Sequence, residues 1–325
     1  MKEGMTLGLF LERQQQFGIS ESLTSIVEAL ATATIEIADR IHENLLFGFD
    51  EVETKINVQG EQQKSLDVLA NDIVLTCCKS LPQVSYAVSE ELRDAVHNSD
   101  IGEFAVIFDP LDGSSNVDLN VTVGSIFSII PARTVSELFQ SGASQVFAAY
   151  VAYGPSTCLT LTFGTSVSIF VADSDRCYRL VTEDAKMQDD FAEYSINSSR
   201  RKEWPEGVSR YIEDCELGES GPLRRRYNMR WVGSMVAEFH RIVLRGGIFI
   251  YPATKDGGVG KLRLLYEANP MSLIAEVAGG RATTGDLRIL DVRPSDLHER
   301  IGVIIGSRKQ VESISSYISM SKAVG

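Results

Sequence analysis

The sequence lacks the features that mark membrane-spanning, secreted or zinc-binding proteins. No apolar run reaches about 18 uninterrupted residues, so no membrane span is expected. Glu12 and Arg13 cut short the apolar start of the chain, so no signal peptide is expected. The five cysteines are odd in number and show neither CxxC nor Cys/His zinc spacing. This usage favours a reducing, cytoplasmic location over a disulfide framework.

Basic residues and histidines are also scarce. The chain has 31 Lys and Arg against 44 Asp and Glu, a net charge of −13. An acidic balance argues against nucleic acid or an anionic membrane as the main partner. The four histidines are scattered, and Ser114 has no evident histidine partner, so a serine-hydrolase triad is not expected.

What is present fits a large α/β protein. With 325 residues, of which 44% are hydrophobic, the chain can bury a sizeable core. A polar stretch over 183–228 separates a strand-rich part from a second mixed part. We therefore expect two domains, residues 1–190 and residues 191–325.

Apolar periodicity predicts where helices and strands alternate. Residues 145–181 are expected to form an antiparallel meander, because short apolar runs are separated by turn residues. Other strands are expected over 84–92, 104–108, 121–130, 246–252 and 301–306. Helices are expected over 1–47, from residue 66 to 79, over 229–244, over 261–279 with a break at Asn269-Pro270, and over 308–325.

The segment 104–116, F-A-V-I-F-D-P-L-D-G-S-S-N, is the most informative stretch. Its apolar run ends at Asp109, and Gly113 permits a tight turn. Asp109 and Asp112 can face one pocket, and the hydroxyls of Ser114 and Ser115 can cradle an anion with nearby N–H groups. Because two carboxylates would repel a phosphate unless cations lie between them, the chemistry indicates divalent metal plus phosphate.

Further acids end neighbouring elements, and each also has an ordinary explanation. Asp67 begins a helix and could simply complement its dipole, with Glu61 in the turn before it. Glu90 and Glu91 follow a strand and could form a solvated turn. Glu267 lies in an apolar segment, so its carboxylate needs a partner, which could be Lys261, Arg263 or a metal ion.

Two groups of motifs together resemble one enzyme superfamily. Asp109-Pro110-Leu111-Asp112-Gly113-Ser114-Ser115, preceded by Ser89-Glu90-Glu91, is similar to the metal-dependent, lithium-sensitive sugar phosphatases. The later segments K-L-R-L-L-Y-E-A-N-P (261–270), Y-S-I-N (194–197) and R-W-V-G-S-M (230–235) resemble class I fructose-1,6-bisphosphatase of bacterial type. An inositol or nucleotide phosphatase is the more distant alternative, and the 261–270 segment argues against it.

The resemblance implies a role for each polar residue of these motifs. The metal ligands would be Glu90, Asp109, Asp112, Glu267 and the carbonyl of Leu111. The attacking water would be oriented and deprotonated by Asp67 and Glu91, with Glu61 as an accessory acid. The 1-phosphate would be bound by Asp112, Gly113, Ser114 and Ser115. The sugar and the distal phosphate would be held by Asn197, Arg230, Tyr251 and Lys261, with Arg230 reaching across from a neighbouring subunit.

The resemblance also implies the fold, the cofactor and the assembly. We expect a layered αβαβα fold with two sheets sandwiched by helices, more than one Mg²⁺ ion per subunit, with Mn²⁺ as a substitute, and a homotetramer. The expected reaction is hydrolysis of fructose 1,6-bisphosphate to fructose 6-phosphate, in gluconeogenesis or the Calvin cycle. A sedoheptulose-1,7-bisphosphatase or bifunctional enzyme, and a non-catalytic sugar-phosphate sensor, are the alternatives.

Overall fold

The computed structural model describes residues 4–47, 55–56, 62–63 and 65–324. Glu61, the proposed accessory acid, lies outside these residues. The α-helices are α1 Leu7–Gln16, α2 Glu21–Phe47, α3 Ser65–Lys79, α4 Glu206–Glu216, α5 Met235–Arg245, α6 Asn269–Val277 and α7 Arg308–Val324. A π-helix spans Leu264–Ala268.

Most strands belong to two separate sheets. The strands are β1 Lys55–Ile56, β2 Gln62–Gln63, β3 Val84–Ser89, β4 Val96–His97, β5 Phe104–Asp112, β6 Val123–Pro131, β7 Phe147–Tyr153, β8 Thr157–Thr162, β9 Val167–Ala172, β10 Tyr178–Thr182, β11 Glu193–Ile196, β12 Asn228–Met229, β13 Ile248–Tyr251, β14 Leu262–Arg263, β15 Arg281–Thr283, β16 Arg300–Ile301 and β17 Val303–Gly306.

The first sheet has eight strands in the order β10-β9-β8-β7-β6-β5-β3-β4. Its strands pair antiparallel except for β3 and β5, which are parallel. The run from β6 to β10 confirms the antiparallel meander predicted over 145–181. The parallel pair places the carboxyl ends of β3 and β5 side by side, which brings Glu90 and Asp109 to one edge.

The second sheet has five strands in the order β12-β11-β13-β17-β15. β11 pairs in parallel with both β12 and β13, whereas β17 runs antiparallel to β13 and β15. A separate short pair, β14 with β16, runs antiparallel beside the site. The carboxyl ends of β11 and β13 carry Asn197 and Tyr251.

The helices form three layers around the two sheets. Apolar residues of α1, α2 and α3 pack on one face of the first sheet. Helices α5 and α6 lie between the sheets, with Phe239 and Ile274 completely buried there. Helices α4 and α7 cover the far side of the second sheet. The predicted mixed α/β fold, with two sheets and helices between and outside them, is confirmed.

Several element boundaries differ from the sequence-based expectations. The helix expected over 229–244 begins only at Met235, where Ser234 caps it by accepting a hydrogen bond from the Ala237 N–H. The helix expected over 261–279 begins with strand β14 and a π-helix, and Pro270 lies in the first turn of α6 instead of breaking it. Proline is tolerated there because a first-turn N–H has no helical partner. Within the described ranges, no helix is long and apolar enough to cross a membrane.

Candidate active site

Strand β5 delivers two aspartates to the same place because it contains a bulge. The expected end of the strand at Asp109 is wrong: β5 continues to Asp112, and its register with β6 shifts between these residues. Residues three apart on a regular strand would face opposite sides of the sheet. The bulge changes that, and the Leu111 N–H donates to the Asp109 carboxylate at 3.0 Å. Asp109 and Asp112 therefore both line one cavity.

Asp112 is held by the N-terminus of α5. Its Oδ2 accepts a hydrogen bond from the Ser234 hydroxyl at 2.7 Å and from the Val236 N–H at 2.8 Å. Gly113 next to it has φ +75°, and a Cβ there would lie 2.6 Å from the Ser234 Cβ. A glycine is therefore needed both for the left-handed turn and for the close approach of α5.

Glu267 comes to the same point from the π-helix Leu264–Ala268. Its Oε2 accepts a hydrogen bond from the Arg263 N–H at 2.5 Å. Carboxylate oxygens of Asp109, Asp112 and Glu267 lie within 4.8 Å of one another, and all three residues are buried. We call these three residues the acidic cluster. A π-turn inside a helical segment is often found at functional sites.

The cluster is strongly unfavourable in its charged form. Burial raises the pKa of the Asp109 carboxyl well above its usual range, and the nearby charges of Glu90 and Asp112 raise it further. Burial and the charge of Glu90 likewise raise the pKa of Glu267. Burial also raises the pKa of Asp112, although hydrogen bonds from Val236 and Ser234 oppose this shift. Such a site takes up either protons or cations.

The donor set fits hard divalent cations. The cluster offers carboxylate oxygens alone, and the cavity is also lined by Glu90 and Leu111. Mg²⁺ and Mn²⁺ prefer oxygen ligands, whereas zinc and copper sites usually contain nitrogen or sulfur. Glu90 lies 3.8 Å from the guanidinium of Arg263, which is 3% exposed, so this basic residue offsets part of the negative charge.

Two more acids line the cavity beside the cluster. Asp67 is buried in the first turn of α3, and Glu91 follows β3, where its N–H contacts the Ser89 hydroxyl at 3.2 Å. That hydroxyl also donates to the side-chain carbonyl of Asn71 on α3 at 2.7 Å. The serine thus connects the end of β3 to α3, and both acids reach the cavity.

The other end of the cavity carries different chemistry. The cavity has a volume of about 470 Å³, and Ser114 and Ser115, which follow Asp112 in the chain, line it with the acids. Asn197, Tyr251 and Lys261 also line it, and a second cavity of about 240 Å³ shares these three residues. The site therefore has an acidic end and an end with amide, phenol and ammonium groups.

Arg230 is the one predicted site residue, among those described, that does not line the cavity. Its side chain is 55% exposed, and its Nε lies 3.4 Å from the carboxylate of Glu193. The next residue, Trp231, does line the cavity, with its ring stacked on Phe249 at 6.2 Å between centroids.

Sequence reasoning missed several residues that shape the site. Ser234 and Val236, which bind Asp112, were not expected in the site. Arg263 was considered only as a partner of Glu267, which it does bind, and its approach to Glu90 was not expected. The pair Gly233-Ser234 before an apolar helix is a start signal that could have identified the cap. The pairing of β14 with β16, which places Arg263, gives no such local signal because its partner lies far along the chain.

Comparison with known proteins agrees with this architecture. Residues 5–183 match the family model of the fructose-1,6-bisphosphatase N-terminal domain, and residues 187–319 match that of the C-terminal domain. The chain is 43% identical over 320 residues to a class 1 fructose-1,6-bisphosphatase of Acinetobacter baumannii strain SDF, covering 96% of this chain and 99% of the relative.

A second relative and a solved structure are also similar to this chain over nearly its whole length. A class 1 fructose-1,6-bisphosphatase of Alkalilimnicola ehrlichii is 43% identical over 325 residues, covering 96% of this chain and 97% of that protein. The crystal structure of the holo form of Leishmania major fructose-1,6-bisphosphatase superposes with a TM-score of 0.91 at 32% identity, covering 97% of this chain and 99% of that one. The chain therefore belongs to the class 1 fructose-1,6-bisphosphatase family, as its metal-site and 261–270 motifs predicted.

Proposed function

We propose that the protein hydrolyses the 1-phosphate of fructose 1,6-bisphosphate, releasing fructose 6-phosphate and inorganic phosphate, and that it requires Mg²⁺. The observation that carries this proposal is the two-ended cavity. An acidic end that takes cations lies in one space with the amide, phenol and ammonium groups of Asn197, Tyr251 and Lys261. A substrate with a phosphate at each end of a sugar matches such a cavity.

Each end has its proposed residues. The cations would be held by Glu90, Asp109, Asp112, Glu267 and the carbonyl of Leu111. When bound, such ions offset charge that develops on the attacking and leaving oxygens. Mn²⁺ is the alternative ion, and more than one ion per subunit is expected.

The chain's own groups would orient the reactants. Ser114, Ser115 and the backbone after Gly113 would hold the 1-phosphate. Asp67 and Glu91 line the same cavity and would orient the water and accept its proton. The water would attack phosphorus in line with the departing sugar oxygen, without a phosphoenzyme.

The distal phosphate would bind among Asn197, Tyr251 and Lys261. Lys261 is exposed and contributes positive charge, which stabilises a bound phosphate. Arg230 is exposed and does not line the cavity of its own chain, which supports the proposal that it completes the site of a neighbouring subunit in a homotetramer. A measurement of the molar mass in solution tests that assembly.

The proposed site lies where two halves of the chain meet. Asp109 and Asp112 come from residues 1–190 and Glu267 comes from residues 191–325, the two domains proposed from the sequence. A cytoplasmic location and a role in gluconeogenesis or the Calvin cycle fit this substrate and remain part of the proposal.

One observation favours a second substrate. The adjoining cavity of about 240 Å³ shares Asn197, Tyr251 and Lys261 with the main one, so there is room for a longer sugar. Sedoheptulose 1,7-bisphosphate carries one more carbon than the fructose ester, and we propose it as the alternative substrate.

A phosphate-release assay with Mg²⁺ tests these alternatives together. The substrates are the fructose and sedoheptulose bisphosphates and inositol 1-phosphate. We expect turnover of the fructose ester, and turnover of inositol 1-phosphate alone would contradict the proposal. Release from none of the three would favour a non-catalytic sensor. Asp112→Asn should abolish turnover, whereas the matched change Asp118→Asn, at an exposed position that does not line the cavity, should not.

A further inference from the structure

The segment Arg230–Gly233 forms one wall of the cavity although it belongs to no helix or strand. It connects β12 to α5, and Trp231 and Gly233 line the cavity. The Trp231 ring lies parallel to Phe249, with an interplanar angle of 3°. Segments outside helices and strands are generally more mobile than those elements, so contacts with neighbouring groups hold this one in place.

A cluster of buried charges lies directly behind this segment. Glu193 is 2% exposed and Glu238 is completely buried. Arg241, whose side chain is 21% exposed, contacts both carboxylates, at 2.9 Å for Glu238. We call these three residues the buried ion cluster. The Nε of Arg230, 3.4 Å from Glu193, adds a second positive charge beside these carboxylates.

The same cluster binds the backbone of the segment. The Val232 N–H donates to the Glu238 carboxylate. The Ser195 hydroxyl lies 2.7 Å from the Arg230 carbonyl and 2.5 Å from the other oxygen of Glu238. The Arg230 N–H donates to the Tyr194 carbonyl at 2.9 Å. Residues of β11 therefore hold both the backbone and the guanidinium of Arg230.

None of the three cluster residues lines the cavity. They contact the Arg230 side chain and the Val232 N–H, on either side of Trp231, which does line the cavity. The acidic cluster is held by other groups, namely Ser234, Val236 and Arg263. A disturbance of the buried ion cluster should therefore affect binding of the distal phosphate more than the hydrolytic step.

We propose that Glu193, Glu238 and Arg241 are positioning residues that set the Arg230–Gly233 segment, and through it the recognition of the distal phosphate. This inference depends on the proposed function. Arg230 acts in the site of the neighbouring subunit of the proposed homotetramer, and Trp231 acts in the cavity that it lines. The cluster thereby determines the preference for sugar bisphosphates over sugar monophosphates.

The test is Glu193→Gln, which keeps the shape of the side chain but removes the charge that faces Arg230 and Arg241. We expect KM for fructose 1,6-bisphosphate to rise about tenfold, with kcat within about twofold, because a charge-assisted contact is lost. KM for fructose 1-phosphate, which lacks the distal phosphate, should not change. Arg241→Lys should retain more of the affinity than Arg241→Met, since it keeps the positive charge.

Tyr211→Phe is the matched control. Tyr211 is completely buried in the same half of the chain, and its hydroxyl donates to Gln310 at 2.6 Å. Removing that hydroxyl disturbs a buried polar contact away from the segment, so neither KM should change. If Glu193→Gln lowers kcat and leaves both KM values unchanged, the positioning role is wrong.

A second readout does not depend on activity. The chain has two tryptophans, so Trp204→Phe leaves Trp231 as a single fluorescent reporter of the segment. In that background Glu193→Gln, or the smaller change Ser195→Ala if the first variant does not fold, should shift the Trp231 emission. Unchanged emission overturns the inference. Absence of fructose 1,6-bisphosphate turnover in the unaltered protein would instead overturn the proposed function, and the emission would still test the positioning.

Discussion

Glu267→Gln should stabilise the metal-free protein while it impairs the enzyme. The variant replaces one carboxylate of the acidic cluster with an amide of the same shape, which can still accept the hydrogen bond from Arg263. The carboxylate oxygens lie within 4.8 Å of one another. Two unit charges at that separation repel by about 3.5 kcal/mol at an effective dielectric constant of about 20.

Protonation limits how much of this repulsion the folded protein experiences. Burial and the charge of Glu90 raise the pKa of Glu267 well above 4.5. Because the pKa of Glu267 is higher in the folded state, its contribution to the free energy of unfolding is fully present below the pKa of this group in the unfolded chain. That contribution is lost as the pH rises through the pKa in the folded state. The advantage of the variant should therefore be small near pH 5 and reach about 1–3 kcal/mol near pH 8.

The assay is thermal unfolding in EDTA and in excess Mg²⁺. In EDTA near pH 8 the variant should melt a few degrees higher, at about 2 °C per kcal/mol. With Mg²⁺ its gain in Tm should be smaller than that of the unaltered protein because it has lost a ligand. Its kcat should fall about 10²–10⁴-fold, the effect of losing several kcal/mol of charge stabilisation.

The matched control is Glu276→Gln on α6. Glu276 pairs with Arg288 at 2.6 Å and is not part of the acidic cluster. Its replacement should cost at most about 1 kcal/mol and should leave the Mg²⁺ effect unchanged. The reasoning is refuted if Glu267→Gln lowers the Tm in EDTA near pH 8 and responds to Mg²⁺ like the unaltered protein.

Three further predictions concern the same cavity. Gly113→Ala places a Cβ 2.6 Å from the Ser234 Cβ at a φ of +75°, so urea unfolding should show a loss of about 1–3 kcal/mol, and unaltered stability would contradict the close approach. Mg²⁺ binding should release protons and strengthen as the pH rises, because Asp109 and Glu267 have raised pKa values, and calorimetry in buffers of different ionisation enthalpy should detect those protons. Lys261→Met should raise KM for the bisphosphate about 10–100-fold by removing a charged contact, whereas an unchanged KM would exclude Lys261 from the distal end.

Much of the site could be predicted because its acids end regular elements. The apolar run from Phe104 to Phe108 is buried on both faces, and such runs indicate a central strand. The parallel pairing of β5 with β3 then brings Asp109 and Glu90 to the same edge of the sheet. The order of strands and helices indicated an α/β protein, and the family resemblance implied the layered fold.

The details that could not be predicted depend on contacts between distant parts of the chain. The bulge after Asp109 is set by pairing with β6, and Ser125 donates to the Pro110 carbonyl at 2.7 Å. The helix expected from Lys261 gives way to β14, because residues 262–263 pair with β16 near the end of the chain. Local periodicity carries no information on either partner.

The burial of charged residues also could not be predicted from the sequence. Glu238 lies on a helix with hydrophobic neighbours, and from the sequence it looks like a surface acid. Its complete burial depends on Arg241 one turn later and on Ser195 of the second sheet. A sequence pattern shows the acid and the arginine but not the fold that encloses them.

The most direct test of the central claim is which phosphate leaves. Phosphorus-31 NMR can follow fructose 1,6-bisphosphate with the purified protein in Mg²⁺ and, separately, in EDTA. With Mg²⁺, the account predicts fructose 6-phosphate and inorganic phosphate as the products, and no turnover in EDTA. Formation of fructose 1-phosphate, or equal turnover in EDTA, would contradict the assignment of the acidic cluster to the 1-phosphate end.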